Sequence, residues 1–155
     1  MISTTRQVGT FHLDALFLGI EVERIREVVG PQRLTRVPLA EHAVAGLLNL
    51  RGEILLALDV RLLLGAVGPT HSPARSMNVI VSAGDGPVSL LVDAIGDVLT
   101  VGDDAFEPPP ETLRGPARDA LRGAYKLEGK LLLVLEIDRL VRAARVSPST
   151  EEAKR

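Results

Sequence analysis

A chain of 155 residues with 46% apolar but only 3% aromatic residues can bury one domain-sized core, packed mainly from Leu, Val, Ile and Ala. A formal charge of −2 gives no electrostatic footprint for nucleic acid and no strong attraction to an anionic membrane surface. The absence of cysteine excludes disulfides and thiolate metal sites, and no apolar run reaches the roughly 18 residues of a membrane span. The expectation is a cytoplasmic protein without direct membrane insertion.

Short apolar runs bounded by Gly, Pro or charged turns favour strands, and with them a mainly β fold. Residues 11–22 read as a hairpin turning near Asp14-Ala15, and residues 25–29 as a strand stopped by Gly30-Pro31. A second hairpin turns at Arg51-Gly52, where glycine permits the positive φ of a tight turn. The apolar run that follows is typical of a strand buried on both faces. Asp59 is placed to cap a turn of helix over 60–64, ended by Gly65. Residues 65–75, with Pro69 and Pro73, read as an exposed connector. Strands over 77–82 and 88–92 flank the Asp85-Gly86 turn signal. Pro108-Pro109-Pro110 opens an irregular stretch, a helix is expected over 138–144, and residues 146–155 have the composition of a disordered tail.

The chain repeats itself. Residues 46–60 and 123–137 align without a gap at an offset of 77 (123 − 46), with Gly46/Gly123, Leu50/Leu127, Gly52/Gly129, Leu55/Leu132, Leu56/Leu133 and Leu58/Leu135 identical. Asp59/Glu136 keeps the charge. Upstream, 18–29 echoes 90–99 more loosely, with Ile25, Glu27 and Val28 matching Ile95, Asp97 and Val98. A unit this long, present twice, predicts two similar small barrels sharing a core within one domain over 1–145, rather than a solenoid.

Gly46-Leu47-Leu48-Asn49-Leu50-Arg51-Gly52-Glu53-Ile54-Leu55, followed by Leu58-Asp59-Val60-Arg61, resembles the signature of the CheW-like family of chemotaxis adaptors. So do Gly19-Ile20-Glu21-Val22 with Ile25-Arg26-Glu27-Val28, Val37-Pro38, Leu91-Val92-Asp93-Ala94-Ile95-Gly96-Asp97-Val98, and the closing Leu132-Leu133-Val134-Leu135-Glu136-Ile137. Leu18 stands where the family commonly has an aromatic, and Glu136 where it has Asp. The resemblance implies two five-stranded SH3-like barrels packed side by side, with short helices, no catalysis and no cofactor. It also implies two partners: the regulatory domain of a CheA-type histidine kinase, and the helical cytoplasmic tip of a methyl-accepting chemoreceptor, with recruitment to receptor arrays. A paralogue that binds receptor without kinase and a ligand-sensing regulatory module are the alternatives.

The repeat separates residues the backbone demands from those it leaves free. Gly46, Gly52, Gly123 and Gly129 are kept in both halves and read as structural turn residues. Asn49 and Arg51 are replaced by Lys126 and Glu128, so the backbone does not demand them, and both are candidates for binding a partner or organising the interface. Arg51 is open to two readings, a turn residue with an intramolecular ion pair or a partner-binding group whose planar fork grips a carboxylate. Val29, Leu34, Val37 and Leu48 are candidates for an apolar groove accepting a receptor helix, or for ordinary core. His12, His42 and His71 sit in unrelated segments without metal-ligand spacing. Gly84-Asp85-Gly86 lacks the Lys-Ser/Thr of a phosphate loop, and Asp103-Asp104 read as a solvated loop. No catalytic or metal-binding residue is assigned.

Overall fold

The structure, a computed structural model, describes residues 4–38, 43–65, 75–112 and 115–145. The expected connector, apart from its ends, and the tail over 146–155 lie outside them, as do His42 and His71. The first hairpin turns at Asp14-Ala15 and pairs β1 (Thr5–Leu13) with β2 (Leu16–Glu21). A 3-10 turn over Val22–Arg24 leads into β3 (Ile25–Val29). β4 (Val44–Leu50) and β5 (Glu53–Asp59) form the signature hairpin, and α1 (Val60–Leu63) follows. The Asp59 carboxylate accepts the Leu62 N–H at 3.2 Å, the expected cap. Then come β6 (Met77–Ala83), β7 (Gly86–Val92), β8 (Ala94–Gly102), the short β9 (Phe106–Glu107) and α2 (Pro116–Asp119). The second copy of the signature hairpin pairs β10 (Leu121–Leu127) with β11 (Lys130–Leu135), and α3 (Ile137–Arg145) ends the described chain.

The strands form two sheets, one ordered β8-β1-β2-β11-β10-β9 and the other β3-β6-β7-β5-β4. The chain crosses between them twice, at Val22–Arg24 after β2 and at Asp93 after β7. Each sheet therefore mixes the two sequence halves. The β1–β2 hairpin joins β11 through a parallel ladder, and β6–β7 joins β5 the same way. The repeat offsets are those of the strands: β4 and β10 begin 77 residues apart (121 − 44), and the β1–β2 and β6–β7 hairpins turn 70 apart (84 − 14).

Burial follows this plan. A large shared core runs between the sheets, from Phe11, Leu18 and Ile20 on one side to Val79, Val81, Leu90 and Val92 on the other. Each sheet also wraps a small core of its own. Val8, Val101, Tyr125, Leu132 and Val134 fill the six-stranded sheet, and Leu48, Leu55, Ala57, Ile80 and Leu91 fill the five-stranded one. Leu48/Tyr125, Leu55/Leu132 and Ala57/Val134 are 77-residue equivalents, so the repeat is also a repeat of packing.

The fold is mainly β with two sheets and short helices, but the barrels are not closed. Among the described residues each sheet ends in two edge strands, and no ladder joins the edges into a ring. The expectation of strands buried on both faces holds for the second half of β5 and β11 only. Ile54 is 59% exposed and its equivalent Leu131 38%, because each lies next to a hairpin tip, beyond both cores.

Candidate partner-binding surface

The signature hairpin presents its tip to solvent. Arg51 and Gly52 form a two-residue loop with φ of 52° and 90°, the left-handed pair that a primed hairpin turn requires. Asn49 Oδ1 accepts the Gly52 N–H at 2.9 Å and fixes the loop from within. Two-thirds of the Arg51 side chain is exposed, and its guanidinium pairs with the Glu27 carboxylate on β3. The structure thus realises the intramolecular reading of Arg51 while leaving most of the side chain accessible. At the equivalent tip only Gly129 has positive φ, 79°, and Glu128 does not share it.

Gly52 and Gly129 are turn residues as expected. Gly46 and Gly123 are not: both lie inside strands, at register shifts between Val44/Gly46 and Leu121/Gly123. Another backbone passes against each of them. A Cβ on Gly46 would lie 2.7 Å from the Thr35 carbonyl oxygen, and one on Gly123 2.6 Å from that of Glu107. These approaches belong to matching edge contacts, Thr35 with Leu47 and Glu107 with Ala124. Glycine is kept there for clearance.

Three of the four groove candidates come together, but in a core. Leu48 is 1% exposed at the centre of the five-stranded sheet's own cluster, with half-buried Val29 and Leu34 packed against it. Leu48 therefore does not line a surface. Val37 is half-buried and outside that cluster.

The apolar surface lies one residue along. Val28 is 37% exposed on edge strand β3; its 70-residue equivalent Val98 is 60% exposed and Ile95 41% exposed, both on edge strand β8. Directly paired residues share a sheet face. Val28 pairs with Val79 and Ile95 with Phe11, both members of the shared core. Val98 pairs with Gly9, whose missing side chain leaves room for Ile25 Cδ1 from β3. The three exposed residues therefore rim one seam, where the shared core reaches solvent between the β3 and β8 edges. The sequence held this signal, since Val28 and Val98 were aligned in the loose echo, but one strand's period decides which of Val28 and Val29 faces out.

The remaining polar features are compensated. Glu21 Oε1 accepts from Arg6 at 2.6 Å and from Arg122, beside a hollow lined by Glu21, Arg24, Arg122, Leu135, Glu136 and Ile137, in which two cations face two carboxylates. His12 stacks on Phe17, ring centroids 5.0 Å apart, with Lys130 Nζ over the same ring. Among the described residues no three His, Cys, Asp or Glu side chains gather where a metal ion could be held.

In a two-sheet β protein, an apolar seam at edge strands with a polar hairpin tip beside it is a surface of the class on which other proteins dock. The family comparison gives that class a name. The CheW-like domain model matches residues 7–145, and the chain belongs to the CheW-like family. It is 33% identical over 135 residues to the chemotaxis protein CheW of Rhizobium meliloti, covering 86% of this chain and 85% of that one. It is 26% identical over 136 residues to the chemotaxis protein CheW of Thermotoga maritima, with 87% of each covered. The crystal structure of the scaffolding protein TtCheW from Thermoanaerobacter tengcongensis shares the fold, with a TM-score of 0.78 at 24% identity over 88% of this chain and 92% of that one. Membership places the chain among the non-catalytic adaptors of chemosensory signal transduction.

Proposed function

We propose that this chain couples the helical cytoplasmic tip of a chemoreceptor to the regulatory domain of a CheA-type histidine kinase, with Val28, Ile95 and Val98 receiving the receptor helix. The observation that carries the reading is the seam itself. Three of the seven large apolar side chains exposed among the described residues lie on the edge strands β3 and β8, on the faces turned to the shared core. An amphipathic helix lays apolar residues into such a groove. No helix among the described residues is long and apolar enough to cross a membrane. Asn49 and Arg51 shape the adjoining hairpin tip, which we assign to organising the same assembly.

The test is Val98→Asp, with Leu48→Asp as contrast. Val98→Asp should keep the wild-type melting temperature and lose co-sedimentation with receptor while retaining kinase in a pull-down. Leu48→Asp should unfold the chain. Undiminished receptor binding by Val98→Asp would remove the seam from the function, and loss of kinase together with receptor would argue for one shared site. A chain that never retains kinase would be the receptor-only paralogue.

A further inference from the structure

Where the chain crosses between the sheets, a helix and a hairpin tip meet the crossing through charged groups. At the Asp93 crossing, Arg61 of α1 donates Nη2 to both Asp93 oxygens at 3.1 Å, and its Nη1 donates to Asp14. The Asp14 N–H, at the β1–β2 tip, donates to Asp93 at 2.8 Å. At the Val22–Arg24 crossing, Arg24 donates Nη2 to Asp138 of α3 at 2.8 Å and Nε to the Ser82 carbonyl at 3.0 Å. The Gly84 N–H, at the β6–β7 tip, donates to the same Asp138 oxygen at 3.1 Å.

These are two copies of one clasp. Arg61 and Asp138 are 77 residues apart (138 − 61), and Asp14 and Gly84 are the first residues of their turns, 70 apart. The polarity is inverted: a helix cation meets a crossing acid in one clasp, and a helix acid meets a crossing cation in the other. Both clasps tie one sheet to the other. α1 follows β5 and holds the tip of β1–β2, while α3 follows β11 and holds the tip of β6–β7.

Their surroundings differ. The side chains of Arg61, Asp14 and Asp93 are 8%, 14% and 26% exposed, against 31% and 44% for Arg24 and Asp138. Charges withdrawn from water attract more strongly and are screened less by salt. Stability is not uniform across a fold, and a joint with solvent-exposed bonds opens at lower free energy than the whole. We infer that the Arg61 clasp is the fixed joint between the sheets and the Asp138 clasp the yielding one. The sheets part first at the α3 end, while the α1 end stays shut.

Residue-resolved amide hydrogen exchange on the full chain tests this at four amides: Gly84 and Leu140 at the α3 end, Asp14 and Asp59 at the α1 end. The Leu140 N–H is held by the Glu136 carbonyl at 2.8 Å and the Asp59 N–H by the Ala43 carbonyl at 2.7 Å. Raising salt to about 1 M, where the screening length falls to roughly 3 Å, should speed exchange at Gly84 and Leu140 together and leave Asp14 and Asp59 unchanged. Asp138→Asn at low salt should do the same, by about two- to five-fold, the size expected for an exposed charged pair. Acceleration of all four amides to the same extent, of Gly84 alone, or of the α1 pair first would overturn the inference. Asp138 is 44% exposed and salt screens the accessible pair before the buried one, so the folded protein remains available for measurement.

Discussion

Arg51 and Glu27 belong to opposite edges of the five-stranded sheet, yet their side chains meet. In hydrogen-bond order four strand spacings separate β4 from β3, about 19 Å in a flat sheet at ordinary spacing. An arginine at the β4–β5 tip bridges that span only if the sheet rolls until its edges approach. The inner cluster of Leu48, Leu55, Ala57, Ile80 and Leu91, drawn from four strands with Val29 of the fifth packed against it, is what the roll encloses. An exposed pair contributes about 0–1 kcal/mol, so it marks where the edges approach while the buried core draws them together.

Arg51→Ala should therefore leave the protein folded. The loss is the weak pair with Glu27, since both Arg and Ala carry the cost of a positive φ, and Arg51→Gly removes that cost of roughly 1 kcal/mol. Thermal melting should rank Arg51→Gly at or above Arg51→Ala. Co-sedimentation of adaptor, kinase and receptor should weaken in both variants. Wild-type sedimentation would confine Arg51 to the turn.

Arg61→Met should be far more damaging than Arg24→Met. Removing Arg61 leaves Asp14 and Asp93 facing one another, both poorly exposed, and breaking a buried pair this way costs about 3–5 kcal/mol. Arg24 is 31% exposed and its partner Asp138 44%, which limits that loss to about 1 kcal/mol. Urea denaturation of the two variants checks the ranking, and similar midpoints would contradict it.

Gly46→Ala and Gly123→Ala should each destabilise by about 1–3 kcal/mol, the range for forcing an atom into packed structure. In both cases the added carbon meets a carbonyl oxygen, from Thr35 or Glu107, which cannot move without disturbing an edge contact. Gly52→Ala meets nothing within 4 Å and pays only for its φ of 90°. Denaturant midpoints should show two clearance glycines and one conformational glycine.

These contrasts show what could be read from residue order. Turns, caps and repeats are local, so Asp14-Ala15, Arg51-Gly52, the Asp59 cap and the 77-residue offset were all legible. The pairing of β2 with β11 and β7 with β5 was not, because a parallel ladder between distant segments leaves no local pattern. Nor was the role of Gly46 and Gly123, which depends on a backbone arriving from elsewhere. Leu48 stays open between groove and core in the sequence for a related reason: apolar character does not tell an inner core from a rim. Val28 and Val98 become distinguishable only when strand register fixes which face each residue takes.

The pH dependence should differ at the two extremes. The Arg24 guanidinium, through its hydrogen bond, holds the Asp138 carboxyl below its ordinary 3.8, and the Gly84 N–H adds to the effect. A carboxylate whose folded value is depressed contributes stability that is present above the unfolded value and lost as pH falls through the folded one. Below pH 3.8 the α3 clasp should release, and the Gly84 amide resonance should follow a titration displaced to acid; Asp138→Asn should abolish that step. At the alkaline end, burial pushes the Tyr125 hydroxyl above its ordinary 10.0. Above pH 10 the unfolded chain ionises there first, so stability should fall as pH rises, and Tyr125→Phe should flatten that fall in urea midpoints measured across the range. A wild-type slope in Tyr125→Phe would mean that another group controls the alkaline limb.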